Sequence, residues 1–220
     1  TLGLSSAASD VYKRQTAKVA DGAITPVKQS GSTVGAFAFG GTITDYESGG
    51  TKYRVHSFLS SDRISFTGTL VCDYLIVGGG GGGAGAEGYQ GASGGAGAGG
   101  MVVATSQSIT AGNYDVVIGA GGIGSDNVDA AGGNGGNSSF NSHVGTGGGG
   151  GPDYNTNGAA GGSGAGGAEP SKSAGASNQA TYSGVTNVTG YGNAGGAGGA
   201  YVGGGSGGGG KGSAGSNNQN

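Results

Sequence analysis

Six consecutive glycines, Gly78 to Gly83, follow directly on the strand-like segment Asp73-Tyr74-Leu75-Ile76-Val77. Glycine loses more conformational freedom on folding than any other residue, about 0.5–1 kcal/mol each relative to alanine. A chain that sets such a run against an apolar strand either leaves it unstructured or gains something that only a backbone without side chains can give. That gain is close approach of one backbone to another. Glycine tracts recur at 78–100, 119–124, 132–136, 145–151, 158–167 and 192–210, within a total of 61 glycines in 220 residues.

Two states compete for these tracts. One is a flexible Gly/Ser-type linker. The other is a bundle of polyglycine-II helices, with three residues per turn and about 3.1 Å rise. Such helices have no internal hydrogen bonds, so buried N–H and C=O groups must pair between neighbours. The bundle is the better reading. The tracts follow strands, include Met101, Ile123 and Val202 in place of charge, and are numerous enough to partner one another. Collagen is excluded, because there are 3 prolines and no Gly-X-Y period. Tract spacing is irregular, so a fixed-repeat solenoid is excluded too.

The stretch 32–77 reads as ordinary all-β sequence. Val34 to Phe39 alternates, and Thr42 to Tyr46 and Thr51 to Leu59 flank a turn at Glu47 to Gly50, a hairpin signal. Arg63 to Thr67 alternates. Leu70 to Val77 is apolar on both faces, which predicts a central strand. Met101 to Ile109 and Tyr114 to Ile118 flank a tight turn at Ala111-Gly112-Asn113 and read as a further pair. No window carries a 3.6-residue apolar period, so no significant α-helix is expected. Three segments follow: 1–15, which resembles a translated sequencing-adapter remnant or disordered leader; 16–31, a stalk or linker; and 32–220, a glycine-rich β domain, truncated if closing strands lie beyond Asn220.

Charge and motifs narrow the function. Charged residues make up 10% and the net charge is −3, which leaves no clustered Lys and Arg for nucleic acid. No run of about 18 apolar residues offers a membrane span. Cys72 is the single cysteine and reads as a small strand hydrophobe. Gly-x-Gly-x-x-Gly matches arise by composition, without the βαβ unit that dinucleotide binding needs. Gly205 to Gly212 approaches a phosphate loop, but Gly212 stands where Ser or Thr would hold Mg²⁺. His56 and His143 lack partners at ligand spacing, and no catalytic triad can be assembled, so an enzyme is not expected.

Two signals point to binding. Gly121-Gly-Ile-Gly-Ser-Asp126-Asn-Val-Asp129 fits one copy of a calcium-binding nonapeptide. Asp126 and Asp129 could offer hard oxygen ligands to Ca²⁺, although that architecture needs stacked copies; otherwise the segment is a solvated loop and no cofactor is expected. Tyr89, Tyr154, Tyr182, Tyr191 and Tyr201 punctuate the glycine tracts beside Asn and Ser. These rings either cap the bundle or act as rigid contact surface for a ligand such as a sugar. The candidate binding residues are Tyr89, Asp126, Asp129, Tyr154, Tyr182 and Tyr191.

The order of blocks resembles a known family. Val71 to Gly83, Gly99 to Val103, Ser108 to Gly122, Gly132 to Phe140 and Gly147 to Gly151 look like the glycine-rich domain of bacteriophage tail-fibre and marine bacterial surface proteins. Residues 16–31 resemble the short repeats of fibre stalks, and the strand–glycine–strand layout is similar to the glycine-rich domain of some animal receptor kinases. The resemblance implies a jelly-roll or tumour-necrosis-factor-like β-sandwich base bearing a polyglycine bundle. It implies a virion or extracellular location, homotrimeric or other self-association, and recognition of a bacterial surface glycan or outer-membrane protein. The binding loops would be 84–93, 125–131, 152–157 and 168–191. A self-associating extracellular matrix protein and a disordered spacer are the alternatives.

Overall fold

The computed structural model describes residues 35–85, 92–126, 130–154, 156–169, 171–200 and 204–218. The proposed adapter remnant and stalk lie outside them. Ten strands and no helix are present among the described residues: β1 (Ala38–Phe39), β2 (Thr42–Ser48), β3 (Thr51–Ser57), β4 (Asp62–Phe66), β5 (Leu70–Val77), β6 (Met101–Ile109), β7 (Gly112–Val116), β8 (Ser138–Phe140), β9 (His143–Gly145) and β10 (Val188–Tyr191). They form two three-stranded sheets, ordered β1-β4-β7 and β10-β6-β5, and two hairpins, β2-β3 and β8-β9. Every named pairing is antiparallel.

The two larger sheets share one core. Ile64 and Phe66 from β4, Ile109 from β6 and Val116 from β7 are buried together, with Tyr74, Tyr114 and Phe140 packed against them. Phe140 meets Tyr74 and Tyr114 edge-on. A second cluster, Ile76, Val102, Ala104 and Val188, lies under β10. The all-β expectation holds. The described strands do not specify a jelly-roll order.

Two local expectations need correction. The strands β6 and β7 are consecutive but unpaired: β6 lies between β10 and β5, and β7 pairs with β4. The turn at 110–112 is a corner between sheets, which lets Ile109 and Val116 enter the shared core from opposite sides. The strand β5 is also not central. It ends its sheet, and Val71, Leu75 and Val77 on its outer face are 69%, 62% and 52% exposed. Apolar residues on both faces therefore do not mark burial on both faces here.

Beyond the strands the glycine tracts run as straight rods bonded to one another. The amides of Gly78 and Gly81 donate to Gly100 and Gly97; those of Gly79, Gly82 and Gly85 donate to Gly136, Gly133 and Ala130. Gly148 and Gly151 donate to the carbonyls of Gly79 and Gly82, and Gly122 and Ser125 to those of Gly80 and Gly83. Residues three apart meet the same neighbour, as three residues per turn requires. Positive φ among the described glycines is confined to turns and corners such as Gly49, Gly50 and Gly184. The rods therefore keep φ values that any residue can adopt, and their glycines are there for space.

The rod 161–169 is buried at every residue. Ser163, Gly166 and Glu169 donate to Ala98, Gly95 and Ala92; Gly164 and Gly167 to Asn193 and Gly196; Ala165 and Ala168 to Ala159 and Thr156. Its carbonyls at 163, 164, 165 and 167 accept from Gly149, Gly209, Gly175 and Ser206. Six rods thus surround it, a hexagonal arrangement. Where a neighbouring carbonyl is missing, side-chain amides stand in. Asn134 and Asn137, one turn apart, accept from Gly150 and Gly147 at 2.7 and 2.8 Å. Gln179 accepts from the Thr146 amide at 2.9 Å.

Candidate functional site

Rod direction decides where the connections fall. The 78–85 rod leaves β5 and the 92–100 rod returns to β6. The 119–126 rod leaves β7, 130–137 returns to β8, and 146–152 leaves β9. The 161–169 rod runs against 92–100 and so points outward; 192–199 lies parallel to it and 204–210 antiparallel. The ends flanking the connections, Gly85 and Ala92, Asp126 and Ala130, Pro152 and Thr156, Glu169 and Ser171, Ala200 and Gly204, therefore gather at the pole away from the sheets. The described ends of three of the expected loops, 84–93, 125–131 and 152–157, share this pole. The fourth divides: Ala168, Glu169 and Ser171 lie here, and 179–191 lies back at the sheets.

The shaft between sheets and pole admits almost no chemical variety. A Cβ on Gly149 would come within 2.0 Å of the Ala159 carbonyl oxygen, on Gly164 within 1.9 Å of that of Gly175, and on Gly97 within 2.1 Å of that of Ser163. No atom pair tolerates such distances, and the obstacle is backbone that cannot swing aside. Buried side chains inside the shaft are no larger than those of Ala165 and Ser163, and larger ones stand at the outer rim and the two ends.

At the pole, described groups are fixed in distinct ways. Pro152 and Glu169 are fully buried. One Glu169 carboxylate oxygen accepts from the Gly204 amide at 2.5 Å and from the Asn218 side-chain amide at 3.2 Å. This ties three rods together, because Glu169, Gly204 and Asn218 belong to different ones. Thr156 closes a turn by donating its backbone N–H and hydroxyl to the Asp153 carbonyl at 3.1 and 2.7 Å. Tyr154 sits half-buried at that turn, and Asp126 is exposed at the end of its rod.

A family model described as a glycine-rich domain matches residues 60–220. The chain belongs to that family. No curated protein and no solved structure matches it.

Within this glycine-rich domain the expected site residues separate. Tyr89 and Asp129 lie outside the described residues. Tyr154 and Asp126 stand at the far pole. Tyr182 and Tyr191 belong to the sheet end. The Tyr182 hydroxyl accepts from the Val144 amide at 2.7 Å and lies 3.2 Å from the Val144 carbonyl as donor, and its ring meets His143 edge-on at 4.9 Å. That ring is a structural bolt between the 178–187 segment and β9. Tyr191 pairs with β6 and carries the Lys211 ammonium 4.8 Å from its ring centroid, a cation–π contact.

The remaining motifs resolve into structure. In the phosphate-loop-like stretch, the amides of Ser206, Gly207 and Gly209 donate to Gly167, Ser216 and Gly164, so none of the three faces an anion. No cluster of three His, Cys, Asp or Glu side chains that could hold a metal ion exists among the described residues, Asp126 included. No helix among them is long and apolar enough to cross a membrane.

A polar clasp at the sheet end was not foreseen. The Tyr74 hydroxyl lies 2.6 Å from His143 Nδ1, and Asn141 reaches the same hydroxyl at 3.4 Å. Burial pushes the Tyr74 phenol up and the His143 imidazole down. Both shifts favour neutral partners. Cys72, also raised by burial and then by Asp73, is half-buried beside the core. The separation of 69 positions between Tyr74 and His143 leaves no local pattern that could reveal the contact.

Proposed function

We propose that this domain is a structural and adhesive module, of the kind found at a phage tail-fibre tip, that recognises a bacterial surface through its far pole. The observation that carries the reading is the collection of rod ends at one end of a shaft whose interior holds no side chain larger than serine. A rigid platform of that kind presents short segments that can change without disturbing the scaffold. Tyr154 and Asp126 are the described residues placed to take part. Tyr182 and Tyr191 are not, because each is engaged at the opposite end. A surface glycan or an outer-membrane protein is the ligand class that the aromatic and Asn-rich composition of these connections suits.

The test replaces Tyr154 and Asp126 together by Ala and measures retention on outer-membrane vesicles and on immobilised bacterial surface polysaccharides. Replacement of Lys211 by Ala at the sheet end serves as control. Loss of retention with the polar pair alone supports the reading. Unchanged retention with the pair, or equal loss with the control, rejects it.

A further inference from the structure

The edge of β5 carries an unmet pairing requirement. Among the described residues its backbone pairs only with β6, leaving its other edge open along eight residues. Edge strands are ordinarily defended by Lys, Pro, a twist-inducing bulge on the free side, or a covering element. The sequence Leu70 to Val77 holds neither Lys nor Pro. Its irregularity, between Cys72 and Tyr74, is in the ladder to β6. Its one charge, Asp73, is drawn back onto its own sheet, accepting from the Ser106 amide at 2.7 Å.

Space lies beside this edge. A cleft of about 1250 Å³ borders all of β5 and much of the β2-β3 hairpin, and reaches Phe66 of β4, Val116 of β7 and Phe140 of β8. A strand residue occupies about 160 Å³, given a 3.3 Å rise, 4.8 Å between strands and about 10 Å between sheets. The cleft therefore has room for about eight extended residues, the length of β5 itself. Among the described residues the hairpin pairs with no other strand, and it leaves Ile43, Tyr46, Tyr53 and Val55 at least 40% exposed.

We propose that β5 is the seam of a two-fold dimer, in which it pairs antiparallel with β5 of a second copy. Charge selects the register. In an antiparallel pair, residues directly opposite one another face the same side. Centring the axis on Asp73 sets two carboxylates against each other, which is destabilising. Centring it on Tyr74 sets Val71 against the second copy's Val77, and Asp73 against its Leu75. That register keeps apolar pairs at both ends and separates the charges. The result is one six-stranded sheet, β10-β6-β5 continued by its symmetry mate. The second copy is the occupant this edge fits, because the same eight residues supply both the uncharged surface and its complement.

Sedimentation equilibrium of the full chain tests the seam. The expected mass is two chains, and Leu75→Lys is expected to weaken association at least tenfold while leaving the far-ultraviolet circular dichroism of the folded chain unchanged. Ile123→Lys, on the bundle rim and 84% exposed, is expected to leave the mass at two chains. As an independent readout, Val71→Cys with Val77→Cys in a Cys72→Ser background is expected to give a disulfide-linked dimer on oxidation. A single-chain mass at 100 µM overturns the proposal. So does a mass of three chains, a two-chain mass that Leu75→Lys does not change, or equal weakening by Ile123→Lys.

Discussion

Gly79 and Gly80 are adjacent in the chain and opposite in circumstance: a Cβ on Gly79 would sit 2.0 Å from the Ala120 carbonyl oxygen, whereas one on Gly80 would meet nothing within 4 Å. Three residues on, Gly82 and Gly83 repeat the contrast, at 2.2 Å from Ile123 and in open space. Packing therefore reads this rod in threes.

The contrast predicts opposite outcomes for identical substitutions. Gly79→Ala forces backbone apart and is expected to destabilise by about 1–3 kcal/mol or more, as overpacking does. Gly80→Ala, at a rod φ that alanine can adopt, is expected to be neutral or to stabilise by up to about 1 kcal/mol through the unfolded chain. Thermal or denaturant melting of the two variants decides it. Equal melting temperatures would mean the rods are not packed as described.

Amide hydrogen exchange should follow the same period. The amides of Gly79, Gly82 and Gly85, which donate into the 130–136 rod, are expected to be protected alongside those of the enclosed 161–168 segment. The exposed Gly80 and Gly83 should exchange faster. Uniformly rapid exchange along the tract would return it to the flexible-linker state.

Asn134→Ala removes the acceptor for the Gly150 amide, a residue buried in the bundle. Leaving a buried donor unmet costs about 1–3 kcal/mol. Protection of Gly150 is expected to fall first, with that of Gly147, which bonds to Asn137, falling less. Residue-resolved exchange separates this local effect from global unfolding.

Acidification should weaken the sheet end through His143. Its folded value lies below the ordinary 6.5 because of burial. Above that ordinary value the imidazole is neutral in both states and the contribution is complete. As pH falls from there through the folded value, the unfolded chain takes up a proton that the native state resists, so stability declines and then levels off. Denaturant midpoints from pH 7.5 down to 5 are expected to fall for the wild type and to stay flatter for His143→Phe.

Much of this architecture can be read from the chain. The Gly49-Gly50 hairpin turn and the extents of β5 and β6 follow from local pattern, and the rods follow from glycine runs abutting strands. What escaped depends on distant partners. Leu70 to Val77 carries the same apolar residues whether its outer face is covered or open, so pattern could not place β5 at an edge. Tyr182 and Tyr154 have similar local surroundings, and only the Val144 and His143 contacts separate a bolt from an available ring. Glu169 gave no sign of burial, since its partners Gly204 and Asn218 are 35 and 49 residues away. The Asn134 and Asn137 pair did leave a signal, a one-turn spacing beside glycines, that becomes legible once the three-residue screw is known.

That screw also governs which length changes the lattice can absorb. Deleting one residue within 161–169 would rotate everything after it by a third of a turn and point blocked positions at the wrong neighbours. Removing or adding three shortens or lengthens a rod by about 9 Å and restores every facing. Insertions and deletions in the shaft should therefore survive in multiples of three and in several rods together, while the polar connections obey no such arithmetic.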